Sequence, residues 1–421
     1  MMAFAVVAFV VIGVGLSWII LLFQSYFAPG GQCMIHINNN PDLTKTVDAG
    51  TTLLNALTKE GIGIPCPCGG RATCHQCKLQ ITDHPDPPLD TDVSAFTRRQ
   101  LQDGWRLSCQ VRLNHDLGVK IPEHLLNVKE VIATVVSNKN VATFIKELIV
   151  HLPSGERIDY KPGGYLQIHI PPFVTNSEDW KDSIDPKFWS DWEQYGMFGQ
   201  KLNFSGHAEE PRAYSLASYP AEGEKLMFNV RIATPPLDGG RVSQTIPWGF
   251  GSSYLFSLKP GDTIRLTGPY GESFMRDGER DLYFLIGGAG SSFGRSHILD
   301  LFRTRHTKRK VSMWYGARSL RENIYQKEYE ELVSEFPNFS YHLVLSEPLK
   351  EDIEAGWPTK DPVQTAFLFK AFEVGALKDM RSPEDNLYYV CGPPMHNKSV
   401  MKLLDEYGVP RENIVLDDFG F

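Results

Sequence analysis

The sequence predicts a multidomain chain that mixes the α+β and α/β classes. It should hold an N-terminal transmembrane helix, a small cysteine-bearing domain, an antiparallel β-barrel and a C-terminal parallel sheet flanked by helices. Three observations predict this. An uncharged apolar run opens the chain at Met2–Phe23, short alternating runs broken by Gly and Pro fill residues 130–267, and strand, glycine turn and helix follow one another from Asp281. A length of 421 residues sets about three domains. Hydrophobic residues at 42% and charged residues at 22% are globular values and exclude a mostly disordered chain. A mean hydropathy of −0.23 excludes a polytopic membrane protein. The net charge of −8 argues against a nucleic-acid surface, which needs clustered excess Lys and Arg. Seven cysteines are too few for a disulfide scaffold, and four of them fall between Cys66 and Cys77, which suggests a metal site.

The first element is residues 1–24. Met2–Phe23 carries no charge, and as a helix it would reach ~33 Å, enough to cross a bilayer core. A signal peptide wants a basic start and a shorter apolar core, whereas here the first Lys or Arg is Lys45. A buried core helix is the alternative, set behind the anchor because the run is apolar on all faces and sits at the extreme terminus. The positive charges all lie after the span, which favours a single-pass anchor with the soluble body in the cytoplasm. Residues 25–32, with Ala28-Pro-Gly-Gly31, read as a linker.

The second element spans residues 33–126. Met34–Asn38 and Thr44–Val47 read as strands and Thr51–Glu60 as a helix stopped at Gly61. Cys68, Cys74 and Cys77 follow with five and two residues between them, and Cys109 comes after 31 intervening residues within the strand-like run Arg106–Arg112. A [2Fe–2S] cluster needs four thiolates, two on each iron, and a wrapping loop plus one distant cysteine supplies them. Gly69, Gly70 and Ala72 let backbone N–H groups approach the sulfides. A zinc site would have to pair Cys66 and Cys68 with Cys74 and Cys77, an awkward Cys-Pro-Cys knuckle that leaves Cys109 unused. Cys66 is then a fifth thiol, either a bystander or a competitor of Cys68. Cys33 reads as an inert thiol and His75 as loop surface. The five-residue first gap resembles that of adrenodoxin-like and several bacterial ferredoxins, which implies a β-grasp domain.

The third element spans residues 127–275. Its runs Glu130–Ser137, Thr143–His151, Tyr165–Ile170, Lys225–Ile232 and Asp262–Thr267 suggest the barrel. Arg212-Ala-Tyr-Ser215 matches the R-x-Y-S flavin signature of the ferredoxin–NADP reductase superfamily. The resemblance implies FAD, with Arg212 on its pyrophosphate, Tyr214 against the ribityl chain and ring, and Ser215 at the N5 edge where hydride arrives. Gly251-Ser-Ser253 looks like a helix start, and such an N-terminus is an anion site. Ser252 and Ser253 are therefore candidates for the FAD phosphates, with an ordinary N-cap serine as the alternative. Gly268-Pro-Tyr-Gly271 reads as a tight turn. The stretch 173–211, with Trp180, Trp189 and Trp192, looks inserted; its aromatics suit either a partner surface or local packing.

The fourth element spans residues 276–421. Asp281–Ile286 reads as a strand, Gly287-Gly-Ala-Gly290 as a turn and Arg295–Arg305 as a helix, the Rossmann-like dinucleotide arrangement, although the glycine spacing is not the full fingerprint. Gly287, Gly288 and Gly290 are the candidate nucleotide contacts. Val311–Gly316 and Leu387–Val390 are further strands, ending at Arg318 and at Cys391-Gly-Pro-Pro-Met395. Ligands in such sheets sit beyond the carboxyl ends of strands, where these motifs fall. Arg318 and Arg321 suit ribose or phosphate. Resemblance to the reductase superfamily places Cys391, Gly392 and Pro393 near the nicotinamide of NADH, and an aromatic near the C-terminus over the flavin: Phe419, or Phe421.

The order of all four elements resembles the F subunits of sodium-translocating NADH:quinone oxidoreductases over essentially all 421 residues. The segments that carry it are Cys68–Cys77, Ala142–Leu148, Pro162–Tyr165, Arg212–Ser218, Asn229–Pro236, Trp314–Ser319 and Leu416–Gly420. The sequence departs from the family in three places. Ser291-Ser-Phe-Gly294 stands where Met-Ala-Pro-Met is common, Cys66 where serine is frequent, and His75 where glycine is frequent. The resemblance implies a single-pass protein of the bacterial inner membrane that takes hydride from NADH on FAD. It would pass electrons singly to the [2Fe–2S] cluster, then to membrane partner subunits and indirectly to ubiquinone. Ser215, Ser252, Cys391 and Phe419 are the candidate catalytic residues. Sodium transport would belong to the partners, because one apolar span has no ion pathway. The alternatives are the reductase component of a multicomponent oxygenase, or a tethered carrier or assembly protein with a degenerate nucleotide site.

Overall fold

A computed structural model of the chain describes residues 31–418 except 67, 84, 127 and 359–363, together with Gly15, Ser17 and Trp18. The span expected at Met2–Phe23 lies outside the described residues but for those three, and among the described residues no helix is long and apolar enough to cross a membrane. The chain divides into two compact units, residues 1–66 with 70–128, and residues 67–69 with 129–421.

The first unit is a five-stranded mixed sheet of order β2-β1-β5-β3-β4 with short helices. Its elements are β1 (Gln32–Ile37), β2 (Lys45–Asp48), α1 (Leu53–Lys59), β3 (Lys78–Ile81), α2 (Asp90–Ala95), α3 (Arg98–Gln102), β4 (Trp105–Leu107), β5 (Leu117–Lys120) and α4 (Glu123–Leu126). Thr52 caps α1 by accepting the Asn55 N–H, satisfying a donor that has no partner inside the helix. Leu53, Leu54, Ala56 and Leu57 are buried. The strand expected over Arg106–Arg112 ends at Leu107, and Cys109 lies in the turn beyond it.

The second unit starts with an antiparallel sheet of order β11-β8-β15-β6-β7-β12. Its elements are β6 (Lys129–Ala142), β7 (Ile145–His151), β8 (Tyr165–Ile170), β9 (Val174–Asn176), α5 (Trp189–Gln194), β10 (Lys201–Asn203), β11 (Glu210–Ser215), β12 (Lys225–Arg231), β13 (Leu237–Asp238), β14 (Arg241–Val242), α6 (Phe250–Ser257) and β15 (Thr263–Tyr270). An antiparallel bridge between Leu216 and Phe228 joins the ends of the outer strands β11 and β12. The expected turn at Gly268–Gly271 is instead the end of β15. Tyr270 pairs with Tyr165 of β8 across a register shift, and Gly268, at φ 144°, supplies the irregular backbone that keeps the strand paired.

The inserted stretch packs on its own sheet. Trp180 and Trp192 are 2% and 0% exposed and meet edge to face at 6.3 Å, so local packing, not a partner surface, accounts for these two tryptophans. Lys146 of β7 is fully buried there; its Nζ donates to Ser183 Oγ at 2.5 Å and to the Phe256 carbonyl at 2.9 Å, and burial lowers its pKa to about 7.

The rest of the second unit is a five-stranded, all-parallel sheet of order β18-β17-β16-β19-β20. It holds β16 (Leu282–Gly287), α7 (Ser291–Leu299), β17 (Val311–Ala317), α8 (Gln326–Glu335), β18 (Phe339–Leu345), α9 (Lys350–Glu354), α10 (Leu368–Gly375), β19 (Leu387–Cys391), α11 (Pro394–Glu406) and β20 (Ile414–Asp417). β16 is buried along its whole length, as expected for a central strand covered on both faces. The helix expected over Arg295–Arg305 starts earlier, at Ser291, and its last turn is a π-helix over Asp300–Thr304. The tail, through Asp417, is a paired strand.

Candidate functional site

Cys77 and Cys109 of the first unit converge through strand register. Lys78 of β3 pairs with Leu107 of β4, and the Ser108 N–H donates to the Cys77 carbonyl at 2.8 Å, so Cys77 and Cys109 become neighbours despite their sequence separation. Cys77 is fully buried, and its pKa is lowered to about 3, first by a hydrogen bond with the Cys109 side chain and then by one with Cys66. Cys66 is therefore beside the group, which its spacing alone did not require. Its Sγ accepts the Gly70 N–H at 3.0 Å, and Gln110 Nε2 reaches Cys109 Sγ at 3.5 Å. Such N–H···S contacts are what an iron–sulfur cluster finds around its ligands. Gly69, Gly70, Ala72 and His75 all take left-handed φ angles between 52° and 84°, which curls the loop between the cysteines. Cys68 is buried and Cys74 half-buried. Among the described residues no three His, Cys, Asp or Glu side chains close on a single ion. A two-iron cluster asks for two thiolates per iron, and the buried neighbours Cys77 and Cys109, with an N–H donor near the Cys109 sulfur, suit ligation of that kind.

In the second unit the flavin signature lies on β11. Arg212 and Tyr214 share one face of that strand, and both meet the start of α6. A Cβ on Gly251 would sit 3.0 Å from Arg212 Cγ and 3.0 Å from Tyr214 Oη, so the absence of a side chain admits the close approach. The first N–H groups of a helix have no intrahelical partner, and here the stem of Arg212 packs against the helix start. This pairing fits a pyrophosphate. Arg212 is otherwise held by Glu210, at 2.5 Å, and by the Pro211 carbonyl. Ser252 Oγ accepts the Ala233 N–H at 3.0 Å and donates to the Gly249 carbonyl at 3.3 Å, so its hydroxyl ties the helix start to the chain before it. Ser253 Oγ is buried with no hydrogen-bond partner among the described residues.

The nucleotide motifs gather at the carboxyl ends of β16, β17 and β19. Gly288, at φ 55°, turns the chain out of β16. Gly290 must be glycine because a Cβ there would lie 2.4 Å from the Cys391 carbonyl. Gly392 is equally constrained by the His396 ring, 2.5 Å from such a Cβ, and the His396 Nε2 lies 3.1 Å from the Leu285 carbonyl. Pro393 immediately precedes α11. Arg318 lies at the end of β17 over the Phe144 ring, at 5.5 Å, and pairs with Glu322 at 3.2 Å. Arg321 is taken up by Asp191 at 2.8 Å, so it holds the inserted segment and is withdrawn as a phosphate candidate. Phe419 and Phe421 lie outside the described residues.

The two sets of motifs meet at Asp417, which sequence reasoning missed. The parallel register sets Asp417 of β20 opposite Cys391 of β19. The Asp417 carboxylate accepts from Ser215 Oγ at 3.1 Å and from Cys391 Sγ at 3.9 Å. Burial raises the Asp417 carboxyl from 3.8 to about 7. Burial, and then the Asp417 charge, hold the Cys391 thiol well above its ordinary value, so it is a neutral donor and not a nucleophile. The signal available in the sequence was the acidic pair Asp417-Asp418 just before Phe419. Only the strand pairing shows which neighbour it has.

Fold and site together define an iron–sulfur flavoprotein reductase that draws electrons from a reduced nicotinamide nucleotide. Residues 35–114 match the 2Fe-2S iron-sulfur cluster binding domain, and residues 284–401 match the oxidoreductase NAD-binding domain. The fold is similar to that of an Amycolatopsis cytochrome P450 reductase, with a TM-score of 0.60, 21% identity and coverage of 92% of this chain and 98% of that one. The F subunit of the Na(+)-translocating NADH-quinone reductase of Chlamydia pneumoniae is 57% identical over 98% of this chain and 96% of its own. The corresponding protein of Pseudomonas aeruginosa is 43% identical over 99% and 98% respectively. The chain belongs to the family of F subunits of Na(+)-translocating NADH-quinone reductases.

Proposed function

We propose that this chain is the electron-input subunit of a sodium-pumping NADH:quinone oxidoreductase. The observation that carries this reading is the convergence of Ser215, Cys391 and Asp417, where the strand bearing the flavin signature meets the strand ends of the nucleotide sheet. When bound, FAD supplies acceptance of a hydride from NADH and the [2Fe–2S] cluster supplies one-electron transfer. Arg212 and the N-terminus of α6 would hold the FAD pyrophosphate, and Tyr214 would lie along the ribityl chain. Ser215 places its hydroxyl at the edge of the ring, and Asp417 holds that hydroxyl and stores a proton near neutral pH. Cys391, Gly392 and Pro393 line the place of the nicotinamide and keep water out. Gly287, Gly288 and Gly290 bring backbone close to the NADH pyrophosphate, and Arg318 serves its ribose or phosphate. Phe419, or Phe421, is the aromatic that would cover the flavin. Cys68, Cys74, Cys77 and Cys109 ligate the cluster.

The six-stranded antiparallel sheet, whose outer strands meet at Leu216 and Phe228, is read as the flavin barrel over residues 127–275. Residues 33–126 form the cluster domain and 276–421 the NADH domain. The partners are the other membrane subunits of the complex, with ubiquinone reduced downstream. Met2–Phe23 anchors the body on the cytoplasmic side of the bacterial inner membrane. The test is anaerobic addition of NADH to protein loaded with both cofactors. Flavin absorbance bleaches and an electron paramagnetic signal of the reduced cluster grows; Cys109→Ser keeps the bleaching and loses the signal. Flavin that stays oxidised with excess NADH would remove the reading.

A further inference from the structure

The helix that follows the glycine turn opens with two hydroxyl residues, Ser291 and Ser292. Hydroxyls at that point ordinarily read as ligands of a nucleotide phosphate. Here both are buried, at 0% and 2% exposure, and both are used elsewhere. Ser291 Oγ accepts from Asn229 Nδ2 at 2.8 Å, and Ser292 Oγ accepts the Asn229 backbone N–H at 3.0 Å.

Asn229 belongs to β12 of the antiparallel sheet, and the nucleotide side engages each of its polar groups except the backbone carbonyl. Its Oδ1 accepts the Tyr325 hydroxyl at 2.8 Å, and that hydroxyl also lies 2.8 Å from Glu147 of β7. Tyr325 takes φ 62°, a left-handed conformation that a bulky residue adopts only when its surroundings fix it. The same face of α7 continues the contact. Arg295 donates to the Ala217 carbonyl at 2.8 Å, and Ser296 Oγ donates to the Ser218 carbonyl at 2.7 Å. Ala217 and Ser218 closely follow Ser215, the residue placed at the flavin edge.

We propose that Ser291, Ser292 and Asn229 form a latch that fixes the nucleotide sheet against the flavin-bearing sheet. They act as positioning residues for hydride transfer, leaving only the backbone N–H groups of the α7 start for the nucleotide phosphates. Two hydroxyls and one asparagine, all buried, connect the glycine turn to the strand behind the flavin signature. Rotating one sheet against the other would break all of these bonds, and hydride transfer tolerates little misplacement of the reacting atoms. The inference rests on the proposed role of this site in NADH oxidation.

The test uses the FAD-loaded full chain and stopped-flow reduction by NADH and by NADH deuterated at the transferred position. In the Ser291→Ala/Ser292→Ala double variant, the limiting rate of flavin reduction should fall by roughly tenfold, and the isotope effect should change, while the NADH Kd stays within about threefold. The single variants S291A and S292A should each show a smaller loss of the same kind, so the test survives a double variant that does not fold. A weakened Kd with an unchanged rate would make the serines phosphate ligands and overturn the proposal. So would a lower melting temperature with rate, Kd and isotope effect all unchanged. Wild-type protein that NADH does not reduce is a separate result, and it overturns the underlying assignment of the site.

Discussion

Asp417 combines a modest sequence signal with a decisive position. Nothing in Leu416-Asp-Asp-Phe419 says which acidic residue turns inward. The parallel pairing with Cys391 selects Asp417, and burial lifts its carboxyl to about 7. The folded chain therefore keeps a proton that the unfolded chain releases near its ordinary value of 3.8. Stability from this group falls as pH rises from about 4 to about 7, and is flat above. Asp417→Asn should remove that part of the pH dependence. In denaturation at pH 5 and pH 8, the wild type should lose more stability between the two than the variant does. The variant should also slow flavin reduction by NADH by about tenfold or more, because Ser215 loses its carboxylate partner. A wild type and variant with parallel stability profiles would reject the assignment.

At the scale of elements, α6 shows how a short helix is held at both ends. Its start is fixed by Ser252 to the Ala233 N–H, and its far end by Asn138, whose Nδ2 donates to the Leu255 and Leu258 carbonyls at 2.7 and 2.9 Å. With both ends held, Gly251 lies against Arg212 and Tyr214. Gly251→Ala should therefore separate folding from binding. A helix interior gains up to about 1 kcal/mol from Ala over Gly, so the fold should not suffer. The new methyl pushes on Arg212 and Tyr214, and FAD affinity should weaken by about tenfold, or ~1.4 kcal/mol, in a flavin-release titration. The antiparallel β3–β4 pair shows a similar economy, since its register brings Cys77 and Cys109 together. Cys66, read from spacing as either a bystander or a competitor of Cys68, ends up hydrogen-bonded to Cys77.

Across the second unit the antiparallel and parallel sheets are joined by one buried cation. Arg295 of α7 reaches Glu222 with two nitrogens, at 2.8 and 3.2 Å, and Glu328 with two, at 2.8 and 2.9 Å, while its guanidinium lies 5.2 Å from the Tyr325 ring. Its side chain is 6% exposed and that of Glu222 is 12% exposed. Removing the cation leaves the half-buried Glu328 without this partner and the largely buried Glu222 with Lys225 alone, at 2.7 Å. Arg295→Ala should cost roughly 3–5 kcal/mol in urea denaturation, far more than an exposed pair would. A loss under about 1 kcal/mol would mean that the network is solvated and weak.

The sequence by itself determined a 2Fe-2S domain followed by an NAD-binding domain, a clustered cysteine spacing, the Arg212–Ser215 motif and the strand–turn–helix at Gly287–Gly290. These are local signals, because turn geometry, helix caps and strand alternation depend on residues a few positions apart. It also identified the membership that the relatives then confirmed. Tertiary structure decided what each motif touches. It committed Ser252 to the Ala233 N–H and Arg321 to Asp191, buried Trp180 and Trp192 under the insertion, and turned Gly268–Tyr270 into the end of a strand. It brought Asp417 to Ser215 and Asn229 to Ser291. Those pairs stand 202 and 62 residues apart in the chain, and the partners are set by sheet register and by the packing of α7 against β12, which no local pattern encodes.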